Sequence, residues 1–176
     1  MIDVLTSERL EIRVAAPAEL RASLGAPGEL AAALGRDVAE AWPIEHWDAG
    51  AVNWMLERLG REPNEPFWRA WFVYVRNGAL IGTCGCKGPP DPAAGDGVVE
   101  IGYGIVTSHR RRGFASEAAR TLSEWVLRDP RVRRVRAHTL AGDPASSGVL
   151  RRSGFTFVGT FDDPSDGRID RFERGP

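Results

Sequence analysis

Lysine is nearly missing from this chain: Lys87 stands alone beside 22 arginines among 23 basic residues, a compositional bias to which no function is attached. Cysteine is scarce as well. Cys84 and Cys86 form a C-x-C pair, no C-x-x-C or H-E-x-x-H occurs, and His46, His109 and His138 are scattered, so no metal site is expected. On a strand the two cysteines share one face and read as small buried hydrophobes. No apolar run approaches the ~20 residues of a membrane span. The first thirteen residues hold three acids, two arginines and no cleavage pattern, so neither membrane nor secretion is expected. Excess charge is lacking too: the net value of −1 provides no positive field for nucleic acid. What remains, 176 residues with 43% hydrophobic and 27% charged, suits one folded domain spanning 1–176 in the cytoplasm.

Residues 7–14 alternate polar and apolar as a half-exposed strand does. Two short helices are expected across 17–34, broken at Gly25-Ala26-Pro27-Gly28. The stretch 42–47, with Pro43, is irregular, and Val52, Met55, Leu56 and Leu59 mark a helix over 49–59. Strands over 71–76 and 79–86 flank the hairpin signal Asn77-Gly78. The segment 88–97, with Pro89, Pro90 and Pro92, is a loop. A strand at 98–106, a helix at 116–128, a strand at 132–140, a helix at 144–152 opened by Pro144 and closed by Gly154, and strands at 155–161 and 167–173 complete a mixed α/β order on one sheet.

The chemistry concentrates at Glu100-Ile101-Gly102-Tyr103-Gly104-Ile105-Val106-Thr107-Ser108-His109-Arg110-Arg111-Arg112-Gly113-Phe114-Ala115-Ser116. A strand runs into an arginine-rich loop, and a helix begins directly after it. Free N–H groups and the positive dipole end at a helix start bind phosphate. Gly113 admits close backbone approach, and Ser116 is the expected N-cap. Neither the G-x-x-x-x-G-K-[ST] loop nor the dinucleotide G-x-G-x-x-G fingerprint is present. Within the strand, Glu100, Gly102, Gly104 and Val106 share one face, while Ile101, Tyr103 and Ile105 share the other. Two glycines beside a carboxylate leave room for a ligand.

Arg110-x-x-Gly113-x-Ala115 resembles the R/Q-x-x-G-x-G/A motif of the GNAT superfamily of N-acetyltransferases. Residues 98–105 resemble the fourth strand of the branch containing the ribosomal-protein N-terminal acetyltransferases, residues 143–155 its N-x-x-S-x-x-V-L-x-x-x-G-F motif, and Thr6-Ser7-Glu8-Arg9-Leu10 its opening strand. The resemblance covers 6–14 and 71–173; residues 20–68 match loosely. It implies a GNAT fold, α/β, with a central mixed and mostly antiparallel sheet of about seven strands, splayed between strands 4 and 5 and flanked by helices.

It also implies acetyl-CoA as cosubstrate and a primary amine as acceptor, a protein N-terminus or a small molecule, with a homodimer open. Amides from Arg111 through Arg112, Gly113, Phe114 and Ala115 to Ser116, with Arg110, would hold the pyrophosphate. Val106, Thr107 and Ser108 would pair with the pantetheine arm, a backbone N–H near Val106 would polarise the thioester carbonyl, and Asp143 would contact CoA where relatives have Asn. Glu100 is the candidate base, acting directly or through water. Ser146 is the candidate acid, because Leu150 stands where many relatives carry Tyr. No cysteine lies in these motifs, so direct transfer is expected. Five of the six tryptophans fall in 42–71; Trp42 and Trp47, in the irregular stretch, are the expected acceptor-pocket aromatics, and Trp54 the structural one. The alternatives are a non-catalytic acyl-CoA-binding or sensing module and a phosphate-binding domain without CoA.

Overall fold

The computed structural model describes residues 3–91 and 93–176, so Pro92 of the 88–97 loop lies outside the described residues. Eight strands run β1 (Val4–Thr6), β2 (Leu10–Val14), β3 (Ala70–Val75), β4 (Leu80–Cys86), β5 (Val98–Ile105), β6 (Arg134–Leu140), β7 (Thr156–Asp163) and β8 (Gly167–Arg174). Five helices join them: α1 (Pro17–Ala22), α2 (Pro27–Leu34), α3 (Ala49–Arg61), α4 (Phe114–Val126) and α5 (Pro144–Arg152). The strand order is β1-β2-β3-β4-β5-β6-β8-β7. The expected single strand at 7–14 is instead an antiparallel pair, β1 with β2, making eight strands where about seven were expected. Ser7 makes the turn between them, its N–H donating to the Leu10 carbonyl at 3.0 Å.

All neighbours are antiparallel except β5 and β6, which run parallel and pair only at Val98–Arg134, Val99–Val135 and Glu100–Arg136. Beyond Glu100 the two strands part. This is the expected splay; it falls between the fifth and sixth strands because the N-terminal strand is two.

The register sorts the side chains between two faces. One face carries Trp71, Cys84, Val99, Ile101, Ile105, Val135, Ala137 and Phe172, all buried, and packs under α4 and α5, with Trp125 edge-on to Trp71 at 5.1 Å. The opposite face of β2–β5 lies under the N-terminal helices, with Phe72 beneath Trp42. The same face of β6, β8 and β7 bears exposed apolar side chains: Leu140 is 59% accessible and Phe161 39%. The two cysteines are free, buried and on one face, with their thiols pushed well above their usual range by burial.

The tryptophans divide by burial. Trp42 is only 4% accessible, and its indole N–H donates to the Ser23 carbonyl at 2.9 Å. Trp47 packs edge-on to it at 6.0 Å and donates to Ser23 Oγ at 2.8 Å. Trp42 belongs to the core and the half-buried Trp47 packs against it, each indole N–H finding a partner on the Ser23 turn. Trp54, expected to be structural, is 39% accessible and sits edge-on to Trp68.

Candidate active site

Three elements converge where β5 and β6 part. The ladder between β4 and β5 decides what the gap offers. Val106 donates its N–H to the Ile81 carbonyl at 2.9 Å, and Lys87 donates to the Glu100 carbonyl at 2.8 Å. Antiparallel ladders alternate, so backbone groups of Ile101, Tyr103 and Ile105 point away from β4, toward the gap. The Val106 amide is therefore spent inside the sheet, and the gap-facing N–H near it is that of Ile105. Val106 caps a 3₁₀ turn, Thr107–His109, so Val106, Thr107 and Ser108 do not continue the strand. The strand edge facing the gap belongs to Tyr103 and to the N–H of Ile105, whose carbonyl accepts from Arg110 Nε.

The loop that follows is shaped by two left-handed residues, Arg111 at φ 60° and Gly113 at φ 82°. Gly113, not Ser116, is the N-cap of α4, and no side chain caps it. The helix begins two residues before its expected start, leaving the first-turn amides of Phe114, Ala115 and Ser116 without intrahelical partners. Ser116 is buried, its carbonyl taking the Ser153 hydroxyl at 3.0 Å. The three arginines diverge. Arg110 turns back, its Nε donating to the Ile105 carbonyl at 3.0 Å and its NH2 3.4 Å from Glu45. Arg111 occupies the turn, and Arg112 lies over Phe114 at 5.0 Å.

On the helical side of the gap, the Asp143 carboxylate accepts from the amides of Ala145 at 2.9 Å and Ser146 at 3.1 Å. Asp143 is the N-cap of α5, and this carboxylate occupies the amides that would otherwise draw an anion there. The Ser146 hydroxyl lies 3.3 Å from that of Tyr103. Burial, aided by the charge of Asp143 and opposed by Ser146, pushes the Tyr103 phenol up to about 12. Sequence reasoning missed Tyr103: alternation put it on the face away from Glu100 but could not show that α5 lays a hydroxyl against it. Leu150 is fully buried.

On the other face, Glu100 Oε1 makes an ion contact with Lys87 Nζ and lies 3.2 Å from His138 Nδ1. Burial opposes ionisation, but His138 and Lys87 outweigh it and hold the carboxyl down at about 2. Arg171 Nε donates to His138 Nε2 at 3.1 Å, which leaves the ring proton on Nδ1, facing Glu100. Lys87, Asp91, Asp96, Glu100 and Arg136 line a cleft of about 260 Å³. The two glycines play different parts. A Cβ on Gly104 would overlap Ile44 Cδ1, so Gly104 is a packing glycine; beside Gly102 there is open space. Residues 42–47 thus reach the site through Ile44 and Glu45 rather than through their tryptophans. No cluster of three or more metal-ligating side chains occurs among the described residues.

This geometry matches known proteins. The acetyltransferase (GNAT) domain family matches residues 20–156, including the 20–68 stretch whose resemblance was loose. The uncharacterised N-acetyltransferase YjdG of Bacillus subtilis (strain 168) is 27% identical over 153 residues, 86% of this chain and 89% of that protein. Among solved structures, the Salmonella typhimurium acetyltransferase that modifies the N-terminal serine of ribosomal protein L7/L12 superposes with a TM-score of 0.69 at 18% identity, over 98% of this chain and 99% of that one. A RimL ribosomal L7/L12 α-N-protein acetyltransferase in complex with coenzyme A gives 0.68 at 18% identity, over 98% and 97%. With the family match spanning most of the chain and the splayed sheet in place, the chain belongs to the GNAT acetyltransferase family and is an N-acetyltransferase.

Proposed function

We propose that the acetyl donor is acetyl-CoA, bound along the β5–β6 gap, and that the protein works in the cytoplasm as a single catalytic domain. The observation that carries this reading is the strand edge beyond the β5–β6 pairing, where the backbone of Tyr103 and the N–H of Ile105 face the gap and lead to the uncapped first turn of α4. A pantetheine amide can pair with such an edge as another strand would, and the pyrophosphate fits amides preset by Gly113. A gap-facing N–H on this edge polarises the thioester carbonyl and stabilises the oxyanion formed on attack. The coenzyme A complex of a RimL neighbour supports the placement.

The acceptor amine approaches over Gly102. Glu100 is ionised across physiological pH, and with so little affinity for a proton it acts as the carboxylate that holds the acceptor ammonium and passes its proton to water. The neutral amine attacks the carbonyl carbon, forming the C–N bond, and the nitrogen then gives up its second proton to water beside Glu100. On collapse the C–S bond breaks and its electron pair goes to sulfur. Ser146, backed by the phenol of Tyr103, supplies the proton to the thiolate and regains one from solvent.

The test is CoA release with a broad panel of amines. Tyr103→Phe and Ser146→Ala are expected to lower kcat tenfold or more with the KM for acetyl-CoA within threefold. Unchanged kcat in both removes the hydroxyl pair from the reaction. CoA binding without release for every amine favours a non-catalytic acyl-CoA sensor.

A further inference from the structure

The face of the sheet holding Glu100 continues across β6, β8 and β7, uncovered by any helix among the described residues. The register sets two adjacent rows there. His138, Arg171 and Gly159 form one; Leu140, Ile169 and Phe161 form the other. Residues two apart on a strand share a face, so both rows lie on the face of Glu100. The second row is apolar and, in Leu140 and Phe161, accessible. In the first, Gly159 contributes no side chain, and the Arg171 guanidinium lies over the Phe161 ring at 4.0 Å.

Arg171 is held without being neutralised. The ring fixes its plane, and its Nε is spent on His138. Among the described residues, no carboxylate lies within ion-pair distance of it, whereas the neighbouring Arg136 and Arg134 both pair with Glu173. A guanidinium has five donors in a rigid fork, and one is used here. The guanidinium is linked to Glu100 through one imidazole and lies beside an apolar ledge.

We propose that this face recognises the acceptor as an apolar α-amino acid: Glu100 takes the ammonium end, the Arg171 fork takes the carboxylate, and Leu140 and Phe161 take the side chain. The proposal rests on the acetyl-transfer reading and deepens it. Polyamines and simple amines lack the anion that Arg171 selects, and glycine lacks the group the ledge covers.

Calorimetric titration of the protein–CoA complex with phenylalanine, phenylalaninamide and phenethylamine tests it by binding, independently of turnover. Phenylalanine should bind at least tenfold more tightly than either analogue. Arg171→Gln should erase that preference, and Arg171→Lys, which keeps the charge without the fork, should retain only part of it. Leu140→Asn should weaken phenylalanine relative to glycine. Equal binding of the three ligands to the wild type overturns the proposal, and so does a folded Arg171→Gln or Arg171→Lys protein that keeps the full preference. If phenylalanine binds as expected but no amine in the panel releases CoA, the acetyl-transfer reading fails while the recognition site stands.

Discussion

Arg9 and Glu117, 108 positions apart, tie the β1–β2 turn to the first turns of α4. Arg9 NH2 lies 2.7 Å from Glu117 Oε2, and the same carboxylate accepts from the Arg9 amide at 2.8 Å and from Ser7 Oγ at 2.7 Å. Arg9 NH1 also donates to the Arg112 carbonyl at 2.9 Å, and its guanidinium covers Phe114. The N-terminal strands therefore brace the anion-binding loop from behind. Glu117→Ala should cost about 2–3 kcal/mol in stability, the range for losing charge-assisted hydrogen bonds to a buried carboxylate. Urea unfolding measures this, and the KM for acetyl-CoA should rise in parallel as the loop loses its brace.

Acid should unfold the protein through its paired carboxylates. Burial works against their ionisation, yet His138 and Lys87 hold Glu100 down at about 2, and Ser7 and Arg9 hold Glu117 below its ordinary 4.5. An unfolded carboxyl takes up its proton near 4.5 and the folded one only at lower pH. The stabilisation is therefore complete above about pH 5 and is lost as pH falls through the folded values. Melting temperature followed from pH 7 to 3 should drop steeply below 5, and Glu117→Gln should flatten that slope.

The pH dependence of the reaction should report the acceptor and not Glu100. With its carboxyl ionised far below neutrality, Glu100 has no titration between pH 5 and 9. The rising limb of kcat/KM should move when the acceptor is exchanged for one of different amine pKa and should persist in Glu100→Gln at a reduced rate. A limb that disappears in Glu100→Gln would make Glu100 the titrating base.

Gly113→Val should weaken CoA at least tenfold while the fold survives. At φ 82° a branched residue is strained by about 1–2 kcal/mol, and its Cβ would also crowd Arg9 NH2, 3.1 Å away. Equilibrium dialysis with CoA, beside circular dichroism, separates lost binding from lost folding.

Trp42→Ala should destabilise by about 3–5 kcal/mol, the cost of emptying a large core site, whereas Trp54→Ala should cost far less. Thermal melts of both variants check this ordering.

The sequence by itself determined whatever depends on near neighbours. Period-two alternation put Glu100 and Gly102 on one face of β5 and Tyr103 on the other, and the Arg110-x-x-Gly113-x-Ala115 spacing located the anion loop, because a strand end, a left-handed glycine and a helix start are local events. Even there it misplaced the cap: Ser116 has the right chemistry, but Gly113 has the backbone geometry that starts the helix. Tertiary structure alone decided the rest. Periodicity says which residues share a face, never which face is covered, so Trp42 went to the core, Trp47 to its half-buried margin and Trp54 to the surface. Parallel pairing that stops at Glu100 exposed the edge of Tyr103 and Ile105, a property of two strands 36 residues apart in register. Likewise Arg171 reaches His138, and Ser146 reaches Tyr103, only because β8 returns beside β6 and α5 lies against β5. Contacts at such separations leave no periodic trace in the chain, since each partner's local pattern is satisfied whether or not the other is present.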